Sequence, residues 1–390
     1  MMTTRTTMVE DDDIEARRML LDSVRRYVER DYRFAQRKAA MDAPQGFSRA
    51  AWRQFADMGW LSLGLPEACG GAGSVMDQVA LAEALGRALP VEPWLPNTAL
   101  CAPLLAASDL APQRVLAQDI VEGRLLAALA GYERQGRHDA FDIATQARQR
   151  PDGQWQIDGA KTLVLGGGCA DLLLVLARTG GERRDTLGLT LFAVPAGTRG
   201  LSVQALPTYD GRQTATVALR RVMVADDTRV GPVDGAWPLV EAVIDRATVI
   251  ACADAVGAMA RALELTRDYA VTRRQFGRAL SANQVVRHRL VDLFVSIEQS
   301  RAITEVAAAA LDGDAVARRH AVSCAKAFVS TAGRALGEDA VQLHGAIGMT
   351  EEVEVGHCYK RLAAHANLFG DADWHLARLS AIESVAQAVA

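Results

Sequence analysis

Two short stretches carry the residue types that can grip a phosphorylated ligand. The first, Arg273-Arg274-Gln275-Phe276-Gly277, closes a long helix-forming segment. A guanidinium is a planar, permanently charged donor fork, so Arg273 can bridge a pyrophosphate, with Phe276 packing on an adjacent ring. The same residues also read as a helix C-terminus whose arginines suit the helix dipole and whose glycine stops it. The second stretch, Gln342-Leu343-His344-Gly345-Ala346-Ile347-Gly348, turns a helix end into glycine-rich backbone. There Gln342 and the backbone near Gly345 can reach phosphate and ribose oxygens, because glycine lets another molecule come close. A plain helix C-cap accounts for it as well. Gly70-Gly71-Ala72-Gly73 and Gly166-Gly167-Gly168 lack the strand–glycine–helix setting and following acid of a dinucleotide fingerprint, and read as loops.

Metal chemistry is not indicated: the seven histidines and six cysteines make no zinc spacing. The cysteines (69, 101, 169, 252, 324 and 358) are scattered, which suits free thiols in a reducing cytoplasm. A net charge of −4 and the lack of an arginine–lysine patch interleaved with aromatics argue against nucleic acid. The polar start, with Glu10-Asp11-Asp12-Asp13, is no secretory signal, and no apolar run is long enough for a bilayer.

The elements that must position these residues fall into three blocks. At 390 residues, half of them apolar, the chain has enough material for two or three domains. Residues 1–124 are helical in pattern: Ile14–Tyr32 places Met19, Leu20, Val24 and Val28 at helical spacing, and Ser48 caps a helix over Ser48–Met58. Residues 125–232 break into short apolar runs between turn signals. Among them Leu172–Leu176, Gly188–Val194, Thr216–Leu219 and Val222–Val224 read as strands. Residues 233–390 are helical again, with long segments over Leu239–Thr272, Asn283–Ala310 and Ala315–Leu336, and a closing one over Asp371–Ala388. The expected fold is α+β: an N-terminal helical domain, a middle antiparallel β domain and a C-terminal four-helix bundle.

That order, the Arg-Arg-Gln-Phe-Gly motif with Gln284 after it, and Gln342-Leu-His-Gly-Ala-Ile-Gly-Met-Thr350 resemble the acyl-CoA dehydrogenase family over essentially the whole chain. Met58–Gly73 is similar to the family's N-domain signature. More closely, Gly131–Gln135, His357–Leu362 and Leu368–His375 resemble the small subunit of pimeloyl-CoA dehydrogenase and related heteromeric members. The resemblance implies FAD extended in a subunit interface, its ring between the β domain and the C-terminal bundle. Arg273, Gln275, Phe276, Gln284, Gln342 and Gly345 match the positions that hold the neighbouring subunit's FAD. The implied reaction is α,β-desaturation of an acyl-CoA: a carboxylate removes the proton next to the thioester, the β hydrogen leaves as hydride to the flavin, and an electron-transfer flavoprotein takes the electrons.

The chain departs from the family pattern where that carboxylate should be. The Glu-Gly pair of most members is Phe369-Gly370, and the helix glutamate of another branch is Ala247. Asp371 stands close by as a relocated base, although an N-cap is the plainer reading of an Asp that starts a helix; Glu133 is a second candidate. The family's Thr-Glu-Pro…Ser-Asp stretch matches Tyr132-Glu133-Arg134…His138-Asp139, and its Trp-Ile-Thr is Leu163-Val164-Leu165. Each lost donor costs on the order of 1 kcal/mol of binding. Residues lent to a neighbour's flavin are thus kept, while those for the chain's own flavin and substrate are altered. The resemblance therefore implies an assembly of unlike acyl-CoA dehydrogenase-like subunits. In it the partner supplies ring-side contacts and the base. The alternatives are a homo-oligomer with a relocated base and a non-catalytic subunit of the same fold.

Overall fold

The computed structural model describes residues 3–389, with side chains over residues 14–384. The N-terminal region holds α1 (Thr3–Arg30), α2 (Phe34–Met41), α3 (Arg49–Asp57) and α4 (Val75–Gly86), followed by α5 (Ala102–Ala106) and α6 (Ala111–Val121). Ser48 caps α3 by accepting from the Ala51 N–H. Ser74 and Asp77 form a reciprocal capping box at α4, and Arg17 of α1 reaches the same Asp77 carboxylate at 2.8 Å. Tyr27 of α1 packs edge-on against Phe55 and Trp60, with ring centroids 5.7 and 5.3 Å away. Between α4 and α5, Leu95–Cys101 coils as a π-helix with every residue buried. Its Asn97 Oδ1 accepts from the Ala127 N–H at 2.7 Å and so ties this region to the first strand.

The middle region is one sheet. Its strands are β1 (Ala127–Ala130), β2 (Gln146–Gln149), β3 (Trp155–Lys161), β4 (Leu172–Arg178), β5 (Leu189–Pro195), β6 (Leu201–Pro207), β7 (Gln213–Val224) and β8 (Arg229–Val230). The spatial order is β6-β7-β3-β2-β4-β5-β8, with β1 also paired to β4. The sheet is antiparallel except at β4, which β1 and the start of β2 join in parallel. β4 is buried along its whole length. Leu172, Leu174 and Leu176 face the core shared with the helices, while Leu173, Val175 and Ala177 face a second core on the sheet's other side. Burial on both faces explains an unbroken apolar run where alternation would otherwise appear.

The C-terminal region holds α7 (Trp237–Thr272), α8 (Gln284–Ala309), α9 (Ala315–His344), α10 (Glu354–His365) and α11 (Ala372–Val389). α7, α8 and α9 pack against one another, and α10 and α11 lie on α9. α7 also packs on α4. The two backbones meet at paired glycines: a Cβ on Gly257 would lie 2.0 Å from the Glu83 carbonyl, and one on Gly86 would lie 2.2 Å from the Asp254 carbonyl. A hairpin of β9 (Arg274–Gln275) and β10 (Arg278–Ala279) follows α7, with Phe276-Gly277 as its two-residue turn. Among the described residues, no helix is long and apolar enough to cross a membrane. None of their His, Cys, Asp and Glu side chains group to hold a metal.

The three regions are joined by buried charges. Arg37 of α2 donates from Nε to the Leu89 carbonyl at 2.7 Å, from Nη2 to the Asp210 carbonyl at 2.8 Å, and from Nη1 to His357 Nδ1 of α10 at 2.9 Å. Arg361 of α10 reaches the carboxylates of Asp210, in the β6–β7 turn, and Asp254, on α7, at 3.3 and 3.2 Å. Arginine has no acceptor, so His357 Nδ1 must be one and the imidazole is neutral. Burial and the Arg37 charge push its pKa below the ordinary 6.5. Burial does the same to His344, His365 and His375, the last reaching about 3. A histidine with a depressed folded pKa leaves stability intact above its unfolded pKa and costs stability as pH falls below it. Melting temperature is therefore expected to drop as pH falls from about 7.5 to 5.5, with a shallower slope in His357→Gln. Arg37→Met is expected to destabilise the chain by about 2–4 kcal/mol in chemical denaturation, because it strands buried carbonyls at the junction.

Candidate functional site

The residues singled out in the sequence separate into two places. Phe369 and the segments around Tyr132 and Ala247 converge on a cavity of about 250 Å³. The loop after β1 contributes Tyr132, His138 and Phe141; α7 contributes Trp237, Asp245 and Thr248; Phe369 and Trp374 close it from the C-terminal side. Ala247 is fully buried and does not line it.

Phe369 occupies the turn between α10 and α11 with a left-handed backbone, φ +59°. A bulky side chain adopts that conformation only where its surroundings over-determine it. Here Lys326 of α9, wholly buried, donates from Nζ to the Gly370, His365 and Ala366 carbonyls at 2.8, 3.0 and 3.4 Å and to Ser330 Oγ at 2.8 Å. His375 Nε2 lies 3.2 Å from the Phe369 carbonyl. Burial lowers the Lys326 pKa to about 8, outweighing the nearby Asp371 charge. The turn is thus rigid, and it presents an apolar ring to the cavity.

Asp371 is the cap of α11. Its Oδ1 accepts from the Trp374 N–H at 2.8 Å, and its Oδ2 lies 3.3 Å from His138 Nε2. The Trp374 N–H and the neighbouring His138 hold its pKa below the usual carboxylate value. It is half-exposed and does not line the cavity. Glu133 is committed elsewhere. It is buried, pairs with Lys161 of β3 at 2.7 Å, and accepts from the N–H groups of Ala144 and Thr145 and from Gln135. Burial alone would raise its pKa, but Lys161 and these donors bring it down to about 2. Such a carboxylate is a strut, not a base.

The polar wall of the cavity is a network the sequence did not reveal. Asp245 takes Arg378 Nη1 at 2.8 Å and Arg318 Nε at 3.0 Å, and Glu241 takes Arg319 Nε at 3.0 Å. Arg378 also lies over the Trp374 ring, 5.6 Å from its centroid. Burial and the Asp245 charge raise the Tyr132 pKa, so its phenol stays protonated.

Arg273, Gln275, Phe276, Gln284, Gln342 and Gly345 lie together at the other end of the bundle, and all are exposed. Tyr269 of α7 stacks on His344 of α9 at 4.5 Å between centroids, which sets the two segments at one end. Phe276 is 99 % exposed with φ +50°. Nothing lies within 4 Å of a Cβ placed on Gly277 or Gly345. Arg267 and Arg289 nearby are paired with Asp268 and Asp339, whereas Arg273, Arg274 and Arg278 have no carboxylate partner among the described residues. At 1.5 Å per residue, Thr248 in the cavity and Thr272 at the hairpin stand about 36 Å apart along α7.

Comparison with known proteins covers all three regions. Family models match as acyl-CoA dehydrogenase N-terminal domain over residues 14–123, middle domain over 128–222 and C-terminal domain over 236–382. The chain is 32 % identical to acyl-CoA dehydrogenase FadE27 of Mycobacterium tuberculosis, over 78 % of this chain and 80 % of that one. It is 27 % identical to acyl-CoA dehydrogenase IpdE2 of Mycolicibacterium smegmatis, over 94 % and 98 % of the two chains. Among solved structures it resembles the ChsE4–ChsE5 complex of Mycobacterium tuberculosis, with TM-score 0.85 and 27 % identity over 95 % of this chain and 97 % of that one.

Two substitutions separate strut from base. Glu133→Gln is expected to destabilise the chain by about 3–5 kcal/mol, as when one partner of a buried ion pair is removed. Lys326→Met should cost about 2–3 kcal/mol and speed hydrogen exchange across residues 366–371, which the turn's loss of its ammonium would loosen.

Proposed function

Because this chain belongs to the acyl-CoA dehydrogenase family, an oxidoreductase family acting on CH–CH bonds, we propose that it is a subunit of an FAD-dependent acyl-CoA dehydrogenase. In this reading its exposed hairpin and glycine turn clamp the FAD of a second, acyl-CoA dehydrogenase-like subunit. The observation that carries the reading is the separation of clamp and cavity along α7. One chain cannot put both on the same dinucleotide, so the clamp serves a neighbour. The unpaired guanidinium of Arg273 meets the pyrophosphate, Gln275 and Gln284 supply amide groups, and Phe276 gives a ring face. Gln342 and the open backbone at Gly345 meet the ribose and phosphate oxygens.

The residues fit the phosphate end of FAD. At the ring end the fit is incomplete: Leu163 and Leu165 present alkyl groups, and Leu163 is 65 % exposed. That asymmetry favours a hetero-oligomer such as pimeloyl-CoA dehydrogenase, in which this chain is the small subunit and the partner completes the ring side. The ChsE4–ChsE5 relative is itself a complex of two named chains. Bound FAD supplies the hydride acceptor for desaturation. The substrate is an acyl-CoA, the electrons go to an electron-transfer flavoprotein, and the assembly works in the cytoplasm.

The visible spectrum of the purified chain tests this. Alone it is expected to hold little flavin, and to gain a flavin band when co-purified with a second acyl-CoA dehydrogenase-like subunit. Arg273→Ala should weaken FAD retention by about 10–100-fold, the loss of one charge-assisted contact. Full flavin in the chain alone, unmoved by Arg273→Ala, would sink the clamp.

A further inference from the structure

Neither base position of the family holds a carboxylate here, yet the cavity is not without a proton acceptor. His138 lines it, and its Nε2 faces the ionised Asp371 at 3.3 Å. The negative charge beside that nitrogen favours the tautomer with hydrogen on Nε2, which leaves Nδ1 its lone pair. The loop that carries His138 is set firmly. Arg137 before it has a left-handed backbone, φ +49°. Asp139 after it is held by Trp374 Nε1 at 2.9 Å and by Arg184 at 3.0 Å. Tyr132, from the start of the same loop, lines the same cavity with a protonated phenol. A basic nitrogen and a hydroxyl donor within one aromatic-lined chamber form the pair that removes a proton next to a carbonyl.

We infer that the cavity of this chain takes a proton from the carbon beside a thioester carbonyl, with His138 as acceptor and Tyr132 as donor to the carbonyl oxygen. Asp371 is the positioning residue. The inference rests on the acyl-CoA reading above, and it gives this chain a proton acceptor where the sequence pattern pointed to the partner. The α C–H bond breaks, its proton goes to His138 Nδ1, and the electron pair moves onto the carbonyl oxygen beside the Tyr132 hydroxyl. Return of a solvent-derived proton to the same carbon restores the thioester, so the step needs no oxidant. The sequence resemblance already shows Tyr132 and His138 as replacements for two hydroxyl residues of the family. It could not show that Asp371, more than two hundred residues later, stands behind one of them.

The test is deuterium exchange at the α carbon of 3-phenylpropionyl-CoA in D2O, read by mass spectrometry on the purified chain, with binding of the same thioester followed by calorimetry. That probe suits a chamber walled by Phe141, Trp237, Phe369 and Trp374. Exchange faster than in buffer is expected. It should fall about 100-fold in His138→Gln and about 10-fold in Tyr132→Phe and in Asp371→Asn, with thioester affinity kept within about two-fold. Added imidazole should restore exchange to His138→Ala, which a purely structural role for the ring would not allow. Binding without exchange, or exchange that survives His138→Gln, would overturn this inference alone. No thioester binding by the purified chain would overturn it as well, while the acyl-CoA reading stands or falls on the flavin test above.

Discussion

Buried arginines at the meeting point of three regions set the terms for everything else in this fold. Arg37 and Arg361 are almost wholly removed from water, and their partners come from the segment after α4, the β6–β7 turn, α7 and α10. A buried ion pair adds little net stability, since desolvation offsets its attraction, but leaving one member unpaired is expensive. Such a junction therefore acts on uniqueness. Any arrangement that slides the sheet against the helices strands a charge. The cavity is walled by a β-region loop on one side and by α7 and α11 on the other, so its shape depends on that fixed arrangement.

The second constraint is the length of α7. A 36-residue helix runs from the cavity to the hairpin and carries the chain's two candidate functional regions to opposite ends. The hairpin end is costly for an isolated chain. A phenylalanine with left-handed φ at the tip of a two-residue turn carries strain of order 1–3 kcal/mol, and its ring lies in water. Val285, Val291, Phe294 and Val295 on α8, and Met349 after α9, are exposed as well. Apolar surface of this extent beside unpaired arginines suits a face that another chain and a phosphorylated ligand cover together.

Much of the helical skeleton was legible because amphipathic spacing and caps are local signals. Ser48 caps where its type and position indicate, and the long C-terminal helices follow their apolar periodicity. The sheet was legible only in part. Leu172–Leu176 stood out because burial on two faces makes a continuous apolar run, but the parallel partner β1 left no mark, since pairing between distant strands has no local code. Thr216–Leu219 and Val222–Val224 read as two strands and form one. Arg220 and Arg221 interrupt the apolar pattern at an irregularity where the Arg221 N–H donates to Asp158 at 2.7 Å. The candidate clamp residues could be seen because they cluster in sequence. The cavity could not, because Tyr132, His138, Asp245, Phe369 and Arg378 meet only in the folded chain.

The turn at Phe369 shows why replacing a residue need not remove the site that held it. Lys326 grips the turn through carbonyl oxygens, and His375 holds one more, so its geometry depends on backbone groups and not on the side chain at position 369. A change there alters what the turn presents without altering where it sits. The ring of Phe369 adds apolar surface to a chamber already rich in aromatics. Two residues on, the cap of α11 remains ionised because the Trp374 N–H and His138 both favour its charged form. A carboxylate fixed by helix capping is a poor proton acceptor, but it is a good partner for an imidazole, since it can hold the ring in one orientation. On our inference, the turn therefore contributes to acid–base chemistry only indirectly, through the Asp371 carboxylate beside His138.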